Sequence, residues 1–325
     1  MFRRRIIASA GAALAAATAA ALPATAWAQS RTTRLVISFP PGGPVDFVAR
    51  ALAEVLAKEL GHTVIVENKA GANGAIGAGE VIRSAADGST LWFTSVGAAA
   101  INPSLYDKLS YDMTRDLAPV ALVVNNVELL AVNAANPAND AAEYVANSKR
   151  RKEPTPMASS GIGSIPHLAI EQLADSSGAH LLHVPYKGAA PAITDLMGGQ
   201  VDGFFGDVPG LIGHVRGGKL KALGLASTRR HPALPDVKTL AEQGIAHVDT
   251  NNWYALFAPA KTPAATVQAL SEAVRRALNT PALKARLLDS GAEPAPSTPA
   301  ELAVLLKRDT DKWARLIREK KIKAE

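Results

Sequence analysis

Serine, histidine and aspartate are the residues from which this chain could build a hydrolytic or metal site, and their spacing builds neither. Ser160 and Ser164 lack the flanking glycines of a nucleophile elbow, and no HExxH pair occurs. The seven histidines include one close pair, His180 and His183, which strand alternation puts on opposite faces, so no metal site is expected. The absence of cysteine excludes a disulfide framework, a thiolate zinc site, an iron–sulfur cluster and a cysteine nucleophile. Gly71, Gly74, Gly77 and Gly79 have the wrong spacing for GxGxxG, and Gly161-Ile162-Gly163 runs into Pro166. Gly213 to Lys219 matches GxxxxGK, but Leu220 stands where Mg²⁺ needs Ser or Thr, and a helix precedes it instead of a strand. No cofactor and no enzyme activity are expected.

The chemistry that remains is hydrogen bonding to a small polar ligand. Six segments rich in Gly, Ser and Asn carry it: Phe39 to Asp46 (with Gly42 and Gly43), Gly71-Ala72-Asn73-Gly74, Thr94-Ser95-Val96-Gly97, Ser159-Ser160-Gly161-Ile162-Gly163-Ser164, Tyr186-Lys187-Gly188-Ala189 and Gly206-Asp207-Val208-Pro209. Nearly all fall between a strand and a helix, where free backbone N–H groups and the helix dipole favour an anion. Carboxylate binding is the natural chemistry of such a lining, with Lys187 its one obvious cation. Any single loop could be an ordinary turn, but six at consistent strand ends fit a shared cleft. Several residues keep two readings. Asp46 could meet ligand or answer the helix dipole; His167 could donate into the cleft or pack in the core. Tyr186 could gate the cleft or pack on its strand, and Asp207 could recognise a ligand amino group or hydroxyl or cap the next helix. Trp253 reads as structural.

The elements that must position these loops alternate. Leu35–Phe39 is a buried strand broken by Pro40-Pro41-Gly42-Gly43, and a helix follows from Pro44 to Leu60 before Gly61. Strands at Thr63–Glu67 and Leu91–Thr94 flank a short helix through Val81 and Arg83, which predicts parallel pairing. Extended runs at Leu117–Val124 and Leu129–Val132 come with no helix between them. A second series then alternates helices at Ala141–Arg151, Ile165–Leu173, Pro191–Met197 and Val208–Arg216 with strands at Thr155–Ser159, His180–Val184, Val201–Phe205 and Ala222–Ala226. Trp253–Ala258 is extended, and Pro263–Leu278, Pro281–Asp289 and Pro299–Lys320 are helical. The fold class expected is α/β: two lobes, joined by crossing strands near Leu117–Val132 and Asn251–Ala258, that close on a cleft by hinge motion.

Composition agrees with a globular receptor and adds an address. At 325 residues, 48% hydrophobic and 20% charged, the chain is long enough for two cores. Arg3-Arg4-Arg5, an apolar run from Ile6 to Leu22 and the small-x-small Ala26-Trp27-Ala28 read as a signal peptide over residues 1–28, with Gln29 the first mature residue. Arg3 to Ile7 also fits the twin-arginine pattern, so Sec and twin-arginine export both stay open. Thirty-five basic and 29 acidic residues give +6, and loss of Arg3, Arg4 and Arg5 leaves +3. The remaining charge is scattered; even Lys149-Arg150-Arg151-Lys152 reads as a solvated helix end, so nucleic acid is an unexpected partner.

The loops, taken in order, resemble the Bug receptors, the substrate-binding proteins of tripartite tricarboxylate transporters. The resemblance rests on Phe39-Pro40-Pro41-Gly42-Gly43-Pro44-Val45-Asp46, Val64 through Gly74, Ile101 through Tyr106, Ala158-Ser159-Ser160-Gly161 and His183-Val184-Pro185-Tyr186-Lys187-Gly188. Gly198-Gly199-Gln200-Val201-Asp202 and Ala233 through Val237 extend it over essentially the whole mature chain. It implies a periplasmic binding protein of type II, with lobe 1 over residues 34–124 and 253–325 and lobe 2 over 125–252. It implies a monomer that captures a small carboxylate or related metabolite and serves a permease of one large and one small membrane subunit. Phe39, Gly42, Gly43 and Asp46 would hold the ligand carboxylate through backbone groups and bridging waters, faced by Ser159, Ser160, Gly161, Gly163, Ser164 and Tyr186. Asn73, Thr94, Ser95, His167 and Lys187 complete the expected lining. Phe204-Phe205-Gly206-Asp207 stands where family members vary, often with Asn near Asp207, so ligand identity does not transfer. A receptor of the same fold serving a sensor kinase is the alternative. An enzyme is disfavoured by the missing motifs, and a transcription-factor effector domain by the lack of room before Leu35 for a DNA-binding module.

Overall fold

The structure, a computed structural model, describes residues 32–323. The expected signal peptide over residues 1–28 lies outside the described residues. In chain order the main elements are β1 (Thr32–Ile37), α1 (Pro44–Leu60), β2 (Thr63–Asn68), α2 (Ala75–Ile82), β3 (Thr90–Ser95), β4 (Leu117–Asn133), α3 (Ala141–Arg150), β5 (Thr155–Ser159), α4 (Ile165–Ser177) and β6 (Leu181–Pro185). Then follow α5 (Ala189–Met197), β7 (Gly203–Asp207), α6 (Val208–Arg216), β8 (Leu220–Leu225), β9 (Asn251–Pro259), α7 (Ala264–Asn279), α8 (Pro281–Ser290), β10 (Glu293–Pro294) and α9 (Pro299–Lys320).

The strands form one curled mixed sheet in the order β2-β1-β3-β9-β4-β7-β5-β6, with β8 and β10 also pairing with β4. Its two ends are parallel, as the βα alternation requires: β1 with β2 and β3, and β5 with β6 and β7. Its middle is antiparallel, and β4 is the shared strand. From Leu117 to Val127 it pairs with β9; from Glu128 onward it pairs with β7 and β8. The sequence suggests two runs here because Asn125, Asn126 and Glu128 interrupt the apolar pattern. The backbone does not break, since Asn125 and Asn126 stay in register with Trp253 and Asn252. Polarity at this point marks a change of partner, not a loop.

Each end of the sheet is covered on both faces. Val48, Leu52 and Leu56 of α1, at the three-to-four spacing of an apolar helix face, join Val274 of α7 and Leu287 of α8 on one side of β1 and β3. Trp92, Trp253 and Phe257 turn to the other side, against α2 and Trp313 of α9. At the opposite end, Leu130, Met157 and Phe205 pack on α3 and α4, while Leu129, Ala158 and Phe204 pack on α5 and α6. The alternation of Phe204 and Phe205 between those two cores follows from the two-residue period of a strand. The helical segment Gly97–Ile101 and its continuation Asn102–Leu105 are absent from the expected elements. Ala98, Ala99 and Ala100 give it no amphipathic pattern, and all three are fully buried. Trp253 is structural: its indole N–H donates to Asp309 of α9 at 2.7 Å.

Candidate functional site

Two neighbouring chambers lie where loops from the two parallel ends of the sheet meet. The inner one, a cavity of about 30 Å³, is bordered by Phe39, Pro40, Gly43, Pro44, Val45 and Ser95 from one side. Ser160, Ser164, Ile165, Pro166, Ala189 and Asp207 border it from the other, with Asn252 of β9 between them. The outer chamber, about 250 Å³, shares Phe39, Pro40 and Ser160 and adds Asn73, Tyr106, Gly161, Tyr186 and Lys187. The two sides approach closely at its edge. A Cβ on Gly188, whose φ is +123°, would sit 2.8 Å from Cδ of Pro40. Only glycine suits both that backbone and that distance.

Helix starts from both sides of the sheet meet at the inner chamber. Helix α1 begins at Pro44 behind Gly43, α5 behind Gly188 and α6 behind Asp207, and none of these starts carries a side-chain cap. Their first-turn N–H groups therefore keep free donor capacity. Of the helices that start away from the chambers, α3 and α9 are capped by Asp140 and Thr298, whereas α7 and α8 carry no side-chain cap. At α4, Ser164 accepts the His167 N–H, and its hydroxyl donates to the Gly161 carbonyl at 2.7 Å, fastening the loop that borders the cavity.

The first loop is held from behind by Asp46. This carboxylate is 5% exposed and borders neither chamber. It accepts from the Gly42 N–H at 3.1 Å, from Arg50 Nε at 2.9 Å and from Asn68 Nδ2 at 2.9 Å. Asn68 also donates to the Phe39 carbonyl at 3.0 Å, so both ends of the loop are tied to one group. Burial raises the Asp46 carboxyl, but the bonds from Arg50, Asn68 and Gly42 outweigh it and leave the group below its ordinary range. Gly42, at φ +85°, takes the left-handed turn that brings its N–H to the carboxylate.

The facing loop is held in the same manner by histidine. His167 Nδ1 accepts from the Gly163 N–H at 3.1 Å, and its ring stacks on His183 with centroids 3.8 Å apart. His183 Nε2 lies 2.6 Å from Ser159 Oγ. Burial, then the neighbouring His167, push His183 down to about 3, so it stays neutral at physiological pH. A Ser–His contact of this length can signal a nucleophile, but Ser159 is fully buried and borders no cavity. It braces the loop. Tyr186 does not gate the cleft with its hydroxyl, which donates instead to Asp195 of α5 at 2.7 Å.

The sixteen sequence-selected residues thus divide. Phe39, Gly43, Ser95, Ser160, Ser164 and Asp207 border the inner chamber; Asn73, Gly161, Tyr186 and Lys187 border the outer one. Gly42, Asp46, Ser159, Gly163 and His167 stand behind the loops and shape them, and Thr94 is fully buried in β3. Among the described residues no group of His, Asp and Glu is placed to hold a metal ion. Sequence reasoning missed Asn252, Glu128 and Tyr254. Glu128 carried a legible signal, a single carboxylate inside an apolar strand.

Those three residues surround Asp207; Asp207 and Asn252 border the inner chamber, with Glu128 and Tyr254 bonded behind them. Asp207 ends β7 opposite Glu128 of β4, and its side chain makes no cap on α6. The Tyr254 hydroxyl donates to Asp207 Oδ2, and Asn252 Nδ2 donates to the same oxygen at 3.1 Å and to Glu128 Oε1 at 3.3 Å. Burial raises both carboxyls above the ordinary range; Asp207 adds to the rise at Glu128, whereas the contacts of Tyr254, Glu128 and Asn252 oppose it at Asp207. Both shifts favour the protonated form, so the pair resists carrying two negative charges at once.

A cleft bordered by helix starts from both halves of a curled sheet is the architecture of a ligand receptor, and comparison with known proteins agrees. Residues 48–322 match the tripartite tricarboxylate transporter family receptor. The chain belongs to that family. The receptor is 34% identical to protein BugT of Bordetella pertussis over 89% of each chain. MatC of Rhodopseudomonas palustris, solved with bound malate, superposes with a TM-score of 0.84 at 32% identity, covering 89% of the receptor and 99% of MatC. A second R. palustris protein, solved with adipate, gives 0.86 at 28% identity over 90% and 97%. The family is one of periplasmic solute-binding receptors, with the type II binding-protein fold.

Proposed function

We propose that the protein captures a small carboxylate-bearing metabolite between two lobes and delivers it to a membrane permease of one large and one small subunit. The observation that carries this is the convergence of uncapped helix starts from both sides of the sheet on one chamber. Backbone N–H groups of α1 on one side and of α5 on the other give an anion donors without a fixed counter-charge. The bound malate and adipate of the relatives support the ligand class.

The lobes are residues 34–124 with 253–325, and 125–252. Their boundary falls close to Val127 and Glu128, where β4 changes partner, and β9 runs beside it. Hinge motion about these two strands opens the chamber, since the loops on its opposite sides share few covalent paths. The protein works as a monomer exported to the periplasm. Gly42, Asp46, Gly163 and His167 shape the binding loops, while Phe39, Gly43, Ser95, Ser160 and Ser164 meet the ligand or its bridging waters.

Isothermal titration with a panel of mono-, di- and tricarboxylates, paired with small-angle scattering, tests this. One-to-one binding with compaction and unchanged ligand recovered afterwards is expected. Turnover of the ligand, or binding of sugars in preference to every acid, would overturn it.

A further inference from the structure

We propose that the floor of the inner chamber selects a ligand whose inner end is a hydrogen-bond donor, an ammonium above all, and rejects one that presents a second carboxylate there. This deepens the receptor reading and rests on it. The floor is made of Asp207 and Asn252, each more than nine-tenths buried, with Glu128 and Tyr254 directly behind. The donors of these four residues are already committed; the buried Asn126 amide N–H, which has no partner, stands on β4 in register with Asn252 and borders neither chamber. The Tyr254 O–H goes to Asp207, and the Asn252 amide N–H groups go to Asp207 and Glu128.

What is left is acceptor capacity. Asn252 Oδ1, Asp207 Oδ1 and Glu128 Oε2 are buried with no N–H or O–H of the protein directed at them. A proton shared between the two carboxyls would occupy one lone pair on each and do nothing for Asn252 Oδ1. No Lys or Arg borders the inner chamber; the one cation of the lining, Lys187, stands in the outer chamber. Asp207 does not serve the helix it precedes, so its placement has no capping role to explain it.

Buried acceptors without donors are costly unless a ligand supplies the protons. An ammonium, amide or hydroxyl in the inner chamber would satisfy the acceptors of Asp207 and Asn252, which border it, and an ammonium would also answer negative charge on the carboxyl pair. A ligand carboxylate would set acceptor against acceptor beside a buried anion. The ligand therefore lies with its carboxylate at the helix starts and its donor end against Asp207 and Asn252.

The test uses the exported protein, unfolded and refolded to strip any resident metabolite, in calorimetric titrations with length-matched acids. The series are 4-aminobutyrate, 4-hydroxybutyrate, butyrate and glutarate; 3-aminopropionate, 3-hydroxypropionate, propionate and succinate; and 4-aminobenzoate, benzoate and terephthalate. In at least one series the donor-bearing member is expected to bind tenfold or more tighter than both the plain acid and the diacid. Asp207→Asn, which puts an amide donor in the floor at constant shape, is expected to narrow or reverse that preference. A wild-type diacid binding as tightly as its amino counterpart overturns the proposal and leaves the receptor reading intact. Failure of every acid in all three series defeats the receptor reading, and the proposal with it. The wild-type ratios decide the matter even if Asp207→Asn does not fold.

Discussion

Asp46 is the place where loop order and binding can be separated from ligand contact. In Asp46→Ala the Gly42 N–H, the Asn68 amide and Arg50 Nε lose a common acceptor. Arg50 is half exposed, so its ion pair contributes no more than about 1 kcal/mol. Bonds from the two neutral donors to a charged acceptor contribute about 1.5 kcal/mol each at the low end. The dipole of α1 adds a few tenths, and water regained by the freed donors subtracts a similar amount. The expected loss is about 2–4 kcal/mol of unfolding free energy, or roughly 4–8 °C in melting temperature. Urea unfolding reads the first and a thermal melt the second. Because the Phe39 carbonyl is tied into the same network, affinity for the ligand should also fall at least tenfold. The pH dependence has a definite sign. A carboxyl held below its ordinary 3.8 contributes stability that is complete above that value and lost as pH falls through the lowered one. The gap between wild type and variant should thus be full at pH 5 and close on further acidification. A gap under about 0.5 kcal/mol at pH 7 with unchanged affinity would refute the reasoning, and leave Asp46 a first-turn residue only.

Three other outcomes follow from the same geometry. Gly188→Ala forces a methyl toward Pro40 Cδ at 2.8 Å from a backbone at φ +123°, so ligand-induced compaction measured by scattering should be reduced and affinity lowered tenfold or more; normal compaction would show that the two sides need not meet there. Glu128→Gln removes one of two carboxyls that burial raises. In the wild type the folded state holds that proton more tightly than the unfolded chain, so stability falls as pH rises from about 4.5 toward neutrality; the variant should show a flatter profile by urea unfolding at pH 5, 6 and 7. An unchanged slope would place the charge elsewhere. His183, pushed down to about 3, should keep constant ring-proton NMR shifts between pH 5 and 8, and a midpoint near 6.5 would mean that its contact with Ser159 and stack on His167 are looser than described.

The sequence made the fold legible where periodicity and punctuation coincide. Pro44 and Gly61 bracket α1, Pro299 opens α9, and the strands around each Gly-rich loop are short apolar runs. It also picked out loops that border the two chambers, because glycine and serine at strand ends have a backbone reason to be there. Two kinds of information were not local. The role of each loop residue depends on what stands behind it. Asp46 and His167 carry functional groups, yet both turn inward, because Arg50 and Asn68 in one case and Gly163 and His183 in the other offer better partners than the cleft does. The Gly97–Ile101 helix hid for the opposite reason: a fully buried Ala-rich segment has no polar face to betray its period.

The chamber floor shows the limit most clearly, and also says something about mechanism. Glu128 and Asn252 are 124 residues apart, and Asp207 and Tyr254 are 47 apart, so no window of sequence contains the group. Strand pairing assembles it: Glu128 opposite Asp207, Asn126 opposite Asn252, Val124 opposite Tyr254. These ladders belong to β4, β7 and β9, the strands at the proposed hinge. Helix starts α1 and α5 belong to the two proposed lobes and would part under the proposed hinge motion. The floor need not, since its residues are registered to one another through β4 itself. A ligand entering an open cleft would meet a finished acceptor surface first and an unfinished anion site second. Donor recognition at the floor would then precede closure, and the carboxylate contacts would supply the free energy that holds the lobes together. Rapid-mixing measurements should resolve this as two phases, the first abolished by Asp207→Asn and the second by Gly188→Ala. A single phase lost equally in both variants would mean that floor and helix starts assemble together.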